Sequence, residues 1–196
     1  MLESLRQPLE DKIVQISRVD GTDIFPANFM LIAAMNPCNC GYYPDMNKCH
    51  CSTKDIYRYL NKISMPFIDR MDVCVEAPRV AFEELTDTKD GISSKEIRQE
   101  VLGAHQMQAE RYRGTSYRFN SDVRGADTEE YFRVGKKQKQ LLEDAFENLN
   151  LTARSYHKIL KVARTAADLE CKKDIEMSHI LQAICYRNVD RKFWAV

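Results

Sequence analysis

Leu2, Leu5 and Leu9 recur at helical spacing, which reads as the tail of a helix. Lys12 to Arg18 then alternates apolar and polar residues, the period of a half-buried strand. Val19 to Phe25, with Gly21 at its centre, reads as a turn. Phe29 to Met35 is an unbroken apolar run of strand length, the pattern of a strand buried on both faces. Asn36–Pro37 ends it, because proline cannot continue a ladder. Ser52 or Thr53 can cap a helix through about Lys62, with Ile56, Tyr59 and Leu60 on one side. Met71 to Glu76 alternates again and predicts a third strand, stopped by Pro78.

Residues 79–92 are a polar connection and the natural domain boundary. Beyond them the patterning is helical. Ser93-x-x-Glu96 is a capping box, followed by Ile97, Val101 and Ala104 at i, i+4 and i+7, so a helix should run to about Tyr112. Arg113 to Arg124 is a polar, aromatic-bearing loop without a clear period. Helical patterns resume over Thr128–Phe132, Lys136–Leu149, Thr152–Leu169 and Ser178–Arg187. The expected organisation is an α/β segment over residues 1–78, a linker over 79–92, and an all-α segment over 93–196.

Composition narrows the class. The 196 residues carry 29 Lys plus Arg against 29 Asp plus Glu, so the chain is not a strongly basic nucleic-acid module, although a local patch can hide under zero net charge. The Phe29–Met35 run is far short of the ~18–20 apolar residues that a membrane helix needs. The first twelve residues are polar and charged with no apolar signal core, so a soluble, cytoplasmic protein without a membrane partner is expected.

Seven cysteines are too many by one for a fully paired disulfide scaffold. Cys38, Cys40, Cys49 and Cys51 lie within fourteen residues as C-x-C-x8-C-x-C. Two close pairs separated by a short loop can supply the four soft ligands of a tetrahedral zinc, and four protein ligands would leave no open position, so the metal would be structural. Four reduced surface thiols, or two disulfides in an extracellular chain, are the alternatives. Cys74, Cys171 and Cys185 sit in apolar stretches and read as small buried hydrophobes.

Three further positions admit two readings each. Asn36, at the end of the expected buried strand, is either a turn asparagine before proline or a polar group where open α/β sheets bind ligands. Arg70, between Asp69 and Asp72, is either a surface ion pair or an arginine presented to a phosphate. On the helix from Thr152, Arg154, Lys158, Lys161 and Arg164 fall on one side, opposite Tyr156, Ile159, Leu160, Ala163 and Ala167. That basic face is either solvated or turned toward phosphates. The chain has no G-x-x-x-x-G-K-[ST], and no apolar strand ends in an Asp–Glu pair that could hold magnesium, so it contains no triphosphate cradle of its own.

Several of these stretches resemble one family. Leu2–Asp11, Val14–Arg18, Ala33–Gly41, Asp69–Asp72 and Ala153–Thr165 look like the magnesium-chelatase-like AAA+ ATPases of the ComM/YifB type. The resemblance implies the C-terminal part of an AAA+ core followed by a helical lid, with the family's P-loop and Asp–Glu motif lying upstream of the opening helix. It implies sensor 1 at Asn36, which positions the attacking water, and an arginine finger at Arg70, which reaches a neighbouring subunit's γ-phosphate. Sensor 2 falls at Arg154, and residues 13–35 match a hairpin that points into a ring's pore, with Arg18 near its tip as a DNA contact. The family usually has Ser-Gly-Pro where this chain has Ser64–Met65–Pro66, and glycine allows conformations that methionine avoids.

The implied function is part of a hexameric, ATP- and Mg2+-dependent DNA motor resembling a branch-migration helicase, inactive as this portion alone. A magnesium-chelatase-type metal-insertion subunit and a non-enzymatic, zinc-stapled helical binding module are the alternatives.

Overall fold

The computed structural model describes residues 2–77, 80 and 91–194. The fold is mixed α/β: among the described residues it has eight α-helices and one two-stranded antiparallel sheet. The chain divides into two compact units, Met1–Met71 with Asp190–Val196, and Asp72–Val189.

In the first unit a 3-10 turn over Leu2–Leu5 runs into α1, Arg6–Asp11. Lys12 adopts a left-handed conformation and donates its N–H to the Pro8 carbonyl, which ends the helix. β1, Ile13–Arg18, pairs antiparallel with β2, Gly21–Pro26, in a register that sets Ile13 opposite Pro26 and Arg18 opposite Gly21. The expected turn over Val19–Phe25 is therefore only Val19–Asp20, and the rest is a strand. A two-residue loop returns the chain at once, and the ladder needs only backbone groups, so polar Thr22 and Asp23 do not prevent it.

The strand expected over Phe29–Met35 is not formed: residues 27–36 have no regular structure, and Met30 and Ile32 are more than 80% exposed. A strand buried on both faces needs a neighbour on each side, and the sheet among the described residues ends at β2. α2, Thr53–Leu60, begins where Ser52 Oγ accepts the Asp55 amide, and buries Ile56 and Leu60 against Cys38 and Cys49. α3, Met65–Ile68, is capped by Ser64, and Met65 occupies an ordinary helical position. The glycine usual in the family is thus not required by the backbone here.

The second unit opens with residues 72–77 outside any helix or ladder, so the third expected strand is also absent; Cys74 donates its N–H to the Tyr186 carbonyl instead. Most of the expected connection over 79–92 lies outside the described residues. Then follow α4 (Ser94–Arg111), a 3-10 turn (Asn120–Asp122), α5 (Asp127–Tyr131), α6 (Lys136–Asn148), α7 (Ala153–Leu169) and α8 (Met177–Trp194), whose residues from Asp190 on are counted with the first unit. The Ser93–Glu96 capping box is present in full. Ile97 and Val101 on α4 are exposed, and that helix buries only Ala104 and Gln108. The core is Tyr112, Val123, Phe132, Leu142, Ile159, Leu160, Ala163, Ile180 and their neighbours. Cys171 and Cys185 are exposed and Cys74 is half-buried, contrary to the reading of all three as buried hydrophobes. Cys171 sits in the left-handed turn after α7, and Cys185 lies off the face that buries Ile180, Ala183 and Ile184.

Candidate functional site

The four clustered cysteines converge. Their sulfurs all lie within 4.8 Å of one another, with Cys38–Cys40 at 3.3 Å, Cys40–Cys49 at 3.5 Å and Cys38–Cys49 at 3.8 Å. No pair is a disulfide. A zinc tetrahedron with Zn–S of ~2.3 Å has S···S edges of about 3.8 Å, so this thiol set fits zinc. Local turns build it: Gly41, at φ +77°, returns its N–H to the Cys38 carbonyl, and Cys49 donates its own to Asp45. Cys38 and Cys49 are buried with Ile56 and Leu60, while Cys40 and Cys51 are half-buried. The Tyr42 amide, with the Cys38 thiol, holds Cys40 down at about 6. At Cys49 the Cys51 amide favours the thiolate, but burial and the neighbouring Cys40 and Cys38 sulfurs push it up to about 12. Four thiols this close cannot all ionise without a cation between them.

Arg70 follows α3 directly. Its Nη1 donates to the Pro66 carbonyl at 2.5 Å, and its Nη2 to Glu10 Oε2 on α1, also at 2.5 Å. The side chain is 13% exposed and lines an open cleft of about 730 Å3 with Arg6, Gln7, Glu10 and Gln15 among others. Asn36 is exposed, with its amide against Gly41. Arg18 is the last residue of β1, exposed beside the hairpin loop. These residues and the cysteines all belong to the first unit.

Arg154 lies in the second unit, exposed in the first turn of α7. The basic face expected around it is smaller than the pattern suggests. Lys158 pairs with Asp72 at 2.9 Å, and Lys161 donates to the Ser121 carbonyl. Arg164 is not on that face: it is buried, bonded to Asp168 and to the Lys172 and Lys173 carbonyls that end the α7 turn. Asp168, fully buried, also takes both terminal nitrogens of Arg111 and the Asn120 side-chain amide. Asn120 in turn accepts from the Tyr112 hydroxyl and donates its backbone N–H to Gln108. Nothing in the aperiodic loop around Asn120 marks it for this role.

Comparison with known proteins places the chain in a class, the magnesium-chelatase-like proteins. The model for magnesium chelatase, subunit ChlI, matches residues 1–85, and the model for the ChlI C-terminal region matches residues 91–187. The chain is 38% identical over 192 residues to the competence protein ComM of Haemophilus influenzae and 35% identical over 191 to the uncharacterized protein YifB of Salmonella typhimurium. Each alignment covers 97% of this chain and 37% of the relative. A Mycobacterium tuberculosis protein, Rv2897c, is 33% identical over 186 residues, again with 37% of its length covered. The chain belongs to the magnesium-chelatase-like family that includes ComM and YifB, and it spans little more than a third of their length.

Proposed function

We propose that this chain supplies the sensors, the arginine finger and the lid of an ATP-driven, ring-forming motor that acts on DNA. The observation that carries the reading is Arg70. Its position in the family motif and its place on the wall of an open cleft together suit a guanidinium offered to a phosphate from another subunit. Asn36 is read as the water-positioning sensor and Arg154, in the first turn of α7, as the lid sensor. The division into a core portion over residues 1–78, a linker and a lid over 93–196 belongs to the same proposal, as do a hexameric ring and cytoplasmic location. No helix among the described residues is long and apolar enough to cross a membrane.

The DNA role draws on the relative named as a competence protein. In this chain it rests on Arg18, beside a hairpin loop that carries Asp20, with Asp23 close by on β2, so the tip as a whole is not a cationic patch. A metal-insertion motor would share the nucleotide chemistry, and ATP hydrolysis by the full-length protein separates the two. Stimulation by DNA is expected; hydrolysis indifferent to DNA contradicts the DNA reading, and failure to bind any nucleotide favours the non-enzymatic module. The 196-residue chain by itself, lacking a P-loop sequence, is expected to leave ATP unhydrolysed and to show no micromolar binding in calorimetry.

The thiol cluster is proposed to hold one structural zinc that fixes the loop between residues 36 and 52. Metal analysis should find about one zinc per chain, and Cys38→Ser should lose it and lower the melting temperature of the first unit. Zinc-free protein with four freely titrating thiols would refute this. Arg154→Ala should leave the melting temperature nearly unchanged, since the side chain is exposed, yet weaken the response of the lid to nucleotide, readable as altered proteolytic protection with and without ATP.

A further inference from the structure

We propose that Glu10 is the positioning residue for Arg70, an inference that rests on the finger reading above. The Arg70 guanidinium is held at both terminal nitrogens. One is bound by a carbonyl four residues back, Pro66, and the other by a carboxylate sixty residues away on α1. Two anchors on separate nitrogens of a rigid planar fork fix both its direction and its plane, which neither anchor does alone. The Pro66 carbonyl lies in the short helix that ends just before Arg70, whereas Glu10 lies on α1 and ties the fork to a separate element of the first unit.

The segment carrying Arg70 does not depend on Glu10 for its docking. Ser64, the cap of α3, donates its hydroxyl to Glu3 at 2.6 Å, a second tie between the opening helical segment and α3. Glu3 also pairs with Arg6, and its carboxyl is held below the usual range, first by the Ser64 hydroxyl. Glu3 and Glu10 thus divide the work. Glu3 fixes the turn in place, and Glu10 orients the side chain that leaves it. Both line the cleft that Arg70 faces. Glu10 is 39% exposed, so water screens its charge. Its contribution is therefore geometric. A finger acts on the chemical step, so misplacing it should lower kcat and leave substrate affinity alone.

The test compares Glu10→Ala, Glu10→Gln and Arg70→Ala in the full-length protein, with ATP turnover measured across substrate concentration. Glu10→Ala should lower kcat by about 10²-fold with KM for ATP unchanged. Glu10→Gln, which keeps an acceptor oxygen at the same reach, should restore most of that loss. With Arg70→Ala inactive, a Glu10→Ala enzyme turning over at the normal rate or faster overturns the proposal. So does a Glu10→Gln enzyme no better than Glu10→Ala, or a change confined to KM. If Arg70→Ala itself hydrolyses ATP normally, the finger reading has failed instead.

Discussion

Arg70→Ala in the full-length protein is expected to reduce ATP turnover by about 10³–10⁵-fold, the range over which arginine fingers act. The loss should appear in kcat, with nucleotide binding retained, because the guanidinium would be felt only as charge develops on the transferred phosphoryl group. The fold should survive. Removing the side chain takes one partner from Glu10, whose carboxylate is partly exposed and can be hydrated, and an ion pair of this kind adds about 0–1 kcal/mol. The check is steady-state hydrolysis beside a nucleotide-binding titration and a thermal melt. Normal turnover would remove Arg70 from the chemistry.

Asp168→Ala should destabilise the second unit by about 3–5 kcal/mol, the cost of leaving buried charge without its partner. Asp168 is fully buried and joins Arg111, Arg164 and Asn120. Without it two guanidinium groups would face each other with no carboxylate between them. Burial already pushes the Arg164 pKa down, against the pull of Asp168. At Arg111 burial acts the same way, but Asp168 outweighs it and the net shift is upward. Since domains are commonly stable by 5–15 kcal/mol, the loss is large enough to leave much of this unit unfolded at moderate temperature. Urea unfolding followed by circular dichroism measures it. Asp144→Ala, at an exposed carboxylate on α6, should fall within about 0.5 kcal/mol of the unaltered protein.

Helices were the legible part of this sequence, because their signals are local. Ser93 with Glu96, and Ser52 ahead of the helix from Thr53, announce their own helix starts, and both caps are formed. The thiol cluster was legible for the same reason, since its four members lie within one loop. What failed depends on distant partners. Phe29–Met35 has the composition of a central strand, yet such a strand exists only between neighbours. Arg164 looked like part of a basic face because its acid, Asp168, stands just beyond the stretch that defined the face. Its co-partner Arg111 lies 57 residues from that acid, on another helix. Asn120 carries no periodic signal at all, although it links α4, α7 and the loop between α4 and α5. The pairing of Arg70 with Glu10 is of this kind too: each residue is ordinary until the fold brings them together.

The central claim, that this chain presents its arginine to a neighbouring subunit's nucleotide, is tested most directly by mixing two inactive full-length variants. One carries Arg70→Ala; the other has a disabled P-loop and an intact Arg70. If the finger acts in trans, some interfaces in mixed rings pair a working cradle with a working finger, and ATP hydrolysis should partly return, rising to a maximum at intermediate ratios. Mixed rings that assemble, as judged by light scattering, yet stay inactive at every ratio would contradict it.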